Sequence, residues 1–292
     1  MIQFHSMQTI TIWTIVVVIA LVWFGSRKQP LAVFASIFRA LWQSKPFLIA
    51  FISLLLILFV NKYELDIEQL MNISWDFTPV IHQLEGQFVN SFQQLFNHPF
   101  LTQFLAFFYL IVFQGLIVSS IGVYTASGKI KMAIAVCYAI TINYVIAIPF
   151  YLFFPVNEVW SYPPAGVEFV MLQVFPTFEE HYRQFSGLDN CFPSLHTSIS
   201  VTVALIAARS GIRRWSIFTG ISALIIIFSI FYMGIHWLLD MVAGVALATF
   251  ASWLGMKLAG VEPSIKAMLS ERQQPLRPTH KHNVTGSNQT AE

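Results

Sequence analysis

The stretch "FYMGIHWLLDMVAGVALATF", residues 231–250, reads as a membrane-crossing helix with two ionisable groups, His236 and Asp240, in its first turns. A helix needs about 20 predominantly apolar residues to cross a hydrocarbon core. Ionisable side chains at membrane depth are costly and usually mark function. The i, i+4 spacing puts the imidazole and the carboxylate one helical turn apart on one face. The rest of the sequence has to explain why the chain places such a pair at the edge of a bilayer.

Of the 292 residues, 56% are hydrophobic and 10% charged, where a soluble domain carries about 25% charged residues. The composition therefore predicts an all-α, polytopic transmembrane helix bundle. Runs long enough to cross lie near 8–26, 46–61, 101–125, 132–155, 195–210, 214–233 and 237–257, about seven spans, the second and fifth being short. With the N-terminus outside and the C-terminus inside, fourteen of the 16 Lys and Arg residues fall on the inner side, and only Lys62 and Arg183 fall outside. That asymmetry follows the positive-inside rule. The expected location is the plasma or cytoplasmic membrane. The first apolar run has no basic segment before it and no small-residue cleavage signal after it, so it reads as a retained anchor.

Three regions are expected. Residues 1–100 hold two spans and an outer amphipathic segment, 101–260 form a helix bundle with the chemistry, and 261–292 form a polar, disordered inner tail. In the first region Ile81, Leu84, Phe88, Phe92 and Leu95 recur at helical spacing opposite Gln83, Glu85, Gln87, Asn90 and Gln94. This reads as one amphipathic helix, either lying on the outer surface or packed on the other spans. A shorter interfacial piece is expected at 33–42, on the inner side. Two glycosylation-type triplets begin at Asn283 and Asn288, but the inner placement of the tail makes them coincidental. Cys137 and Cys191 fit neither a disulfide framework nor a zinc pattern, so no metal site is expected.

A second stretch, "DNCFPSLHTSIS" at 189–200, turns a polar loop into the fifth span. Pro193 and Ser194 are residue types favoured at helix starts. Forty residues separate His196 from His236, enough for a hairpin of two spans. The hairpin returns the chain to the same face and puts His196, His236 and Asp240 at one depth. Asp240 can fix the tautomer of His236 and leave its other nitrogen free to attack. His196 can protonate a leaving oxygen, and the N-H groups at the start of the fifth span suit a phosphate. Phosphoryl transfer through a phosphohistidine is the chemistry these residues point to.

The paired motifs carry a family likeness. "PSLH" at 193–196 resembles the Pro-Ser-Gly-His motif of the type 2 phosphatidic acid phosphatase (PAP2) superfamily. "SIFYMGIHWLLD" at 229–240 resembles its Ser-Arg-x5-His-x3-Asp motif, and the likeness covers roughly 101–257. It implies His236 as nucleophile, Asp240 as its partner, His196 as general acid, Ser194 among the phosphate contacts, and a reaction without metal or other cofactor.

The departures from the family pattern are Ile230 in place of the motif arginine and the lack of an upstream Lys-x6-Arg-Pro. Together with the leucine in "PSLH" and "YLFFPVNEVW" at 151–160, they look more like the inositolphosphotransferase branch, which includes inositol phosphorylceramide synthases. Asn157 and Glu158 interrupt that branch's pattern. Arg183 is the better of the two outer cations for substrate phosphate, the bland reading being a solvated loop arginine. Asn190 either donates through its amide or makes the turn before the helix. Gln114, Asn143 and Tyr144 read as interhelical hydrogen-bond partners.

The expected substrate is a lipid phosphate or phospholipid at the outer leaflet, with water or a lipid alcohol as acceptor. Nucleic acid is not expected as a partner, because the basic residues are spread over the inner loops without an aromatic-laced patch. Two other classes stay open: a transporter relaying protons through His236 and Asp240, and a catalytically silent lipid-binding scaffold.

Overall fold

Proline in the first turn starts four of the helices, because a missing N-H costs nothing there. These are Pro30 in α2 (Pro30–Gln43), Pro46 in α3 (Lys45–Lys62), Pro79 in α5 (Thr78–Glu85) and Pro99 in α7 (Pro99–Ala126). The remaining helices are α1 (Met7–Ser26), α4 (Glu64–Met71), α6 (Phe88–Phe96), α8 (Ile130–Phe153), α9 (Phe178–Tyr182), α10 (Leu195–Arg209), α11 (Arg213–Tyr232) and α12 (Leu238–Leu258). The structure is a computed structural model that describes residues 4, 6–71, 75–96, 98–183 and 186–262. The expected inner tail lies outside the described residues from 263 onward, and so do Asn283 and Asn288.

The described residues contain no β-strand, only an isolated bridge between Val156 and Asn190. Helices α1, α3, α7, α8, α11 and α12 are long and apolar enough to cross a bilayer. The fifth expected span is α10, 15 residues long, which is about 22 Å at 1.5 Å per residue. It lies among α8, α11 and α12, and this burial in protein lets a short helix sit at membrane depth. Asn143 of α8 donates to Thr202 Oγ1 of α10 at 3.1 Å, an interhelical bond of the kind its sequence context suggests.

The N-terminal helices share the interior of the bundle. Helices α1 and α2 pack on α7, and α3 packs on α8. Phe47, Ala50 and Leu54 of α3 belong to the same buried cluster as Val136 and Ile140 of α8. Ile12, Ile19, Leu55 and Leu56 face outward, as lipid-facing positions would. The segment at 33–42 is the body of α2, with Val33 and Ala40 buried and Trp42 exposed.

The amphipathic segment departs from its expected form. It is two helices, α5 and α6, broken at Gly86, whose φ is +61°. Ile81 is buried, while Leu84 and Leu95 are exposed, so the apolar positions do not form one continuous stripe. Helix α6 packs on α11, where Gln93 donates to the carbonyls of Glu168 and Tyr232 at 2.8 and 3.0 Å. The positive-φ glycine rotates the second helix relative to the first, which the spacing of the apolar residues alone could not reveal.

Candidate active site

Helix α11 ends at Tyr232, and the chain then turns sharply through Gly234, at φ +75°. A Cβ on Gly234 would lie 2.7 Å from the carbonyl oxygen of Glu168, so only glycine fits this turn. The amides of Ile235 and His236 both reach back to the carbonyl of Ile230. His236 therefore lies outside the helix, in the turn before α12. This corrects the expectation of a histidine and an aspartate one turn apart within a single span. Asp240 sits in the first turn of α12, where its Oδ2 accepts a hydrogen bond from Trp237 N at 2.8 Å, an N-terminal cap. Capping geometry, rather than the i, i+4 ladder, holds the pair.

His236 Nδ1 lies 3.4 Å from Asp240 Oδ2, with both side chains buried. This is a close contact, longer than an ordinary hydrogen bond. It directs the opposite nitrogen, Nε2, away from the carboxylate. His196, on the first turn of α10, has its ring centroid 6.0 Å from that of His236. Tyr109 stacks on the His196 ring at 3.9 Å and 16°, and Phe113 packs against it at 4.4 Å. Tyr109 lies in a five-residue π-helical segment, Phe108–Val112, inside α7, a distortion that redirects side chains and recurs at functional sites.

The start of α10 is joined to α12 through backbone. Ser194 N donates to the carbonyl of Asp240 at 3.2 Å. A Cβ on Gly244 would lie 2.8 Å from the carbonyl of Ser194, so the two helices approach this closely only at a glycine. Ser194 itself is buried, and its Oγ accepts from Thr197 N at 3.3 Å. It is used as the cap of α10.

His196 and His236 line a cavity of about 120 Å³ at this end of the bundle, together with Glu64, Tyr144, Tyr151 and Asn190. Asn190 donates through Nδ2 to Glu64 Oε2 at 2.8 Å.

Arg183 is engaged elsewhere. Its Nε and NH2 bond Glu179 at 2.9 and 3.0 Å, and NH1 and NH2 bond Glu158 at 2.8 and 2.6 Å. It is not among the residues lining the cavity. Glu179, one helical turn before it, and Glu158, 25 residues upstream, engage the guanidinium, a pairing that the sequence does not display.

Several site residues escaped the sequence reading. Glu85 reads in the sequence as one of the polar-face residues of the amphipathic segment, yet it accepts hydrogen bonds from Leu238 N at 2.7 Å and Leu239 N at 2.5 Å, satisfying the start of α12. Glu64, two residues past the end of α3, lines the cavity from the N-terminal region. The one available signal was a carboxylate placed at the boundary of a span. Cys191, His236 and Asp240 bring potential metal-ligating atoms within 4.8 Å of one another. The Cys191 thiol, however, donates to the carbonyl of Ile235 at 3.2 Å, and burial pushes its pKa well up. A thiol kept protonated is a poor ligand.

Fold and site together define a multi-pass membrane protein with a His-His-Asp centre at one end of a helix bundle, His236 and Asp240 buried and His196 half-buried. A family model described as the PAP2 superfamily matches residues 79–254. The chain belongs to the PAP2 superfamily, whose membership points to phosphatase-type chemistry on lipid phosphates. No curated protein and no solved structure matches it.

Proposed function

We propose that this protein transfers the phosphoryl-containing group of a membrane lipid through a phosphohistidine formed on His236. Nε2 of His236 attacks phosphorus, the bond to the leaving oxygen breaks, and His196 delivers the proton that oxygen needs. An acceptor hydroxyl, from water or a lipid alcohol, then attacks phosphorus. The N-P bond breaks and His196 takes the acceptor's proton. Asp240 holds the His236 ring and balances the charge it develops. The observation that carries this reading is the convergence of His196 and His236 at 6.0 Å on one cavity, with Asp240 3.4 Å behind the nucleophile.

Substrate position follows from the polar side chains that line the cavity: a headgroup enters while the hydrocarbon tail stays in the bilayer. The basic residues support an outer-face site. Lys28, Arg39, Arg213 and Arg214 line depressions at the opposite end of the bundle, the end the positive-inside rule assigns to the cytoplasm. Ser194 serves the site through the cap of α10, and Asn190 contributes from the wall. The shared departures from the phosphatase motifs favour transfer to a lipid alcohol, as in inositol phosphorylceramide synthases, while water as acceptor gives a lipid phosphatase.

The test is to incubate purified protein with radiolabelled phosphatidate, isoprenyl diphosphate, or phosphatidylinositol plus ceramide, and then quench. The expected result is base-stable, acid-labile label on the chain, lost in His236→Ala and kept in Lys62→Ala, with free phosphate or a new phosphorylated lipid as product. Unchanged lipid turnover in His236→Ala would sink the proposal.

A further inference from the structure

Helix α2 carries a surface that neither the packing of the bundle nor the proposed reaction uses. Leu31, Phe34, Phe38 and Trp42 recur at spacings of three and four residues, which makes one stripe along a helix. All four are more than half exposed, Trp42 at 94%. Val33 and Ala40, by contrast, are buried on the bundle. Leu31 and Phe34 also line a cleft between α1, α2 and α7, with Ile19, Val22, Ile37 and Val118, and every side chain in that cleft is apolar. A second depression on the same helix is polar and is lined by Lys28, Ser36, Arg39 and Gln43.

The polar depression is fixed in place and positively charged. Lys28 Nζ donates to the carbonyl of Ala126, and Ser36 Oγ donates to Thr125 Oγ1 at 3.2 Å, so the entry and first turns of α2 are tied to the end of α7. Of the fourteen cations assigned to the inner side, ten fall within the described residues, against one carboxylate, Glu262. The ion pairs among the described residues join Arg183 to Glu158 and Glu179, and His236 to Asp240, all at the other end of the bundle. Lys28 and Arg39 have no ion-pair partner among the described residues. An ammonium and a guanidinium without a counter-ion, set beside exposed hydrocarbon, attract an anion that itself carries apolar chains.

We propose that α2 holds an anionic glycerophospholipid of the cytoplasmic leaflet, its phosphate on Lys28 and Arg39 and an acyl chain along the stripe and in the apolar cleft. Charge complementarity selects the headgroup, because the ammonium of a zwitterionic lipid would meet the same positive depression. Hydrocarbon selects a lipid over a free phosphate, which has nothing to place in the cleft. Trp42, at the end of the stripe, has the exposure of an anchor at headgroup level. Helices α1 and α2 lie outside the family match at 79–254. The site is thus an addition that the N-terminal helices make to the matched bundle, at the end away from the histidines and independent of the phosphotransfer reading.

The test is to mix the purified full chain in detergent micelles with dioleoyl phosphatidylglycerol or dioleoyl phosphatidylcholine and count bound lipid by native mass spectrometry. One Lys or Arg near an anionic lipid surface is worth about 5-fold in binding. The wild type should therefore retain phosphatidylglycerol about 25-fold better than phosphatidylcholine, Arg39→Gln about 5-fold better, and Lys28→Gln/Arg39→Gln equally. Lys62→Gln, at the other end, should behave as wild type. Excess glycerol phosphate, which has the charge without the acyl chains, should not displace the lipid. If the double variant does not fold, thermal unfolding of the wild type decides: phosphatidylglycerol should raise the unfolding temperature more than phosphatidylcholine does, and high salt should abolish the difference. Equal retention of the two lipids by wild type, a preference unchanged in the double variant, or displacement by glycerol phosphate overturns the proposal. A dimer that Trp42→Ala dissolves also overturns it, since a second copy of the chain would then cover the stripe.

Discussion

Glu85 reaches across 153 residues of chain to accept a hydrogen bond from Leu238 N at 2.7 Å. A second bond from Leu239 N lets this carboxylate, together with Asp240, satisfy the N-H groups that open α12. A negative group at a helix N-terminus is favourable both as an acceptor and through the helix dipole. Its removal leaves those N-H groups unpaired next to the turn that carries His236. Glu85→Ala should lower stability by about 1–3 kcal/mol and reduce kcat more than it raises KM. Thermal unfolding and lipid-turnover kinetics check both parts, and Glu85→Gln, which keeps an acceptor, should recover much of the stability. A Glu85→Ala protein with wild-type kcat would show that the clamp is irrelevant to the site.

Asp240 has two duties that substitution can separate. Asn at this position can still accept from Trp237 N, but it carries no charge to balance an imidazolium. Asp240→Asn should therefore keep near wild-type thermal stability while losing most turnover, on the order of 10²- to 10⁴-fold. Asp240→Ala should lose turnover and also about 1 kcal/mol of stability through the missing cap. Equal turnover in Asp240→Asn and wild type would exclude the electrostatic duty.

Arg183 separates a structural from a substrate-binding role. Its side chain is 17% exposed and that of Glu158 is 9% exposed. Removing one partner leaves a largely buried charge, which costs about 3 kcal/mol. Arg183→Gln should lower the unfolding temperature clearly, and Glu158→Gln added to it should restore part of the loss. If Arg183 instead held substrate phosphate, Arg183→Lys would raise KM with stability intact.

The carboxylates beside the cavity predict a pH dependence. Burial pushes Glu64 up to about 7. Burial, then its hydrogen bond with Asp189 and the charge of that residue, pushes Glu68 up to about 8. In the unfolded chain both titrate near 4.5, so between those values the folded state binds more protons. Stability from these groups is fully present below about pH 4.5 and is lost as pH rises through 7 to 8. Unfolding temperature measured from pH 5 to 8.5 should fall, and Glu68→Gln should flatten the slope. A rise over that window would contradict the arrangement of Glu64, Glu68 and Asp189.

Membrane class, the positions of the apolar helices and the two histidine motifs were legible in the sequence, although six of the seven expected spans are long enough to cross and the fifth, α10, is a shorter helix. Each rests on local composition or on short spacing: hydrocarbon thickness sets span length, and the forty residues from His196 to His236 set a hairpin that returns to one face. The prolines at helix starts and the Ser194 cap of α10 are local in the same sense. What was not legible depends on partners far apart in the chain. Gly86 breaks the amphipathic helix, and Gly234 takes His236 out of α12 because of a carbonyl sixty-six residues upstream at Glu168. The closure of Arg183 onto Glu158, the reach of Glu85 to α12 and the placement of Glu64 in the cavity are likewise long-range pairings. Charge and hydrogen-bond satisfaction are settled by which groups packing brings within about 3 Å. That information exists only once the helices are assembled.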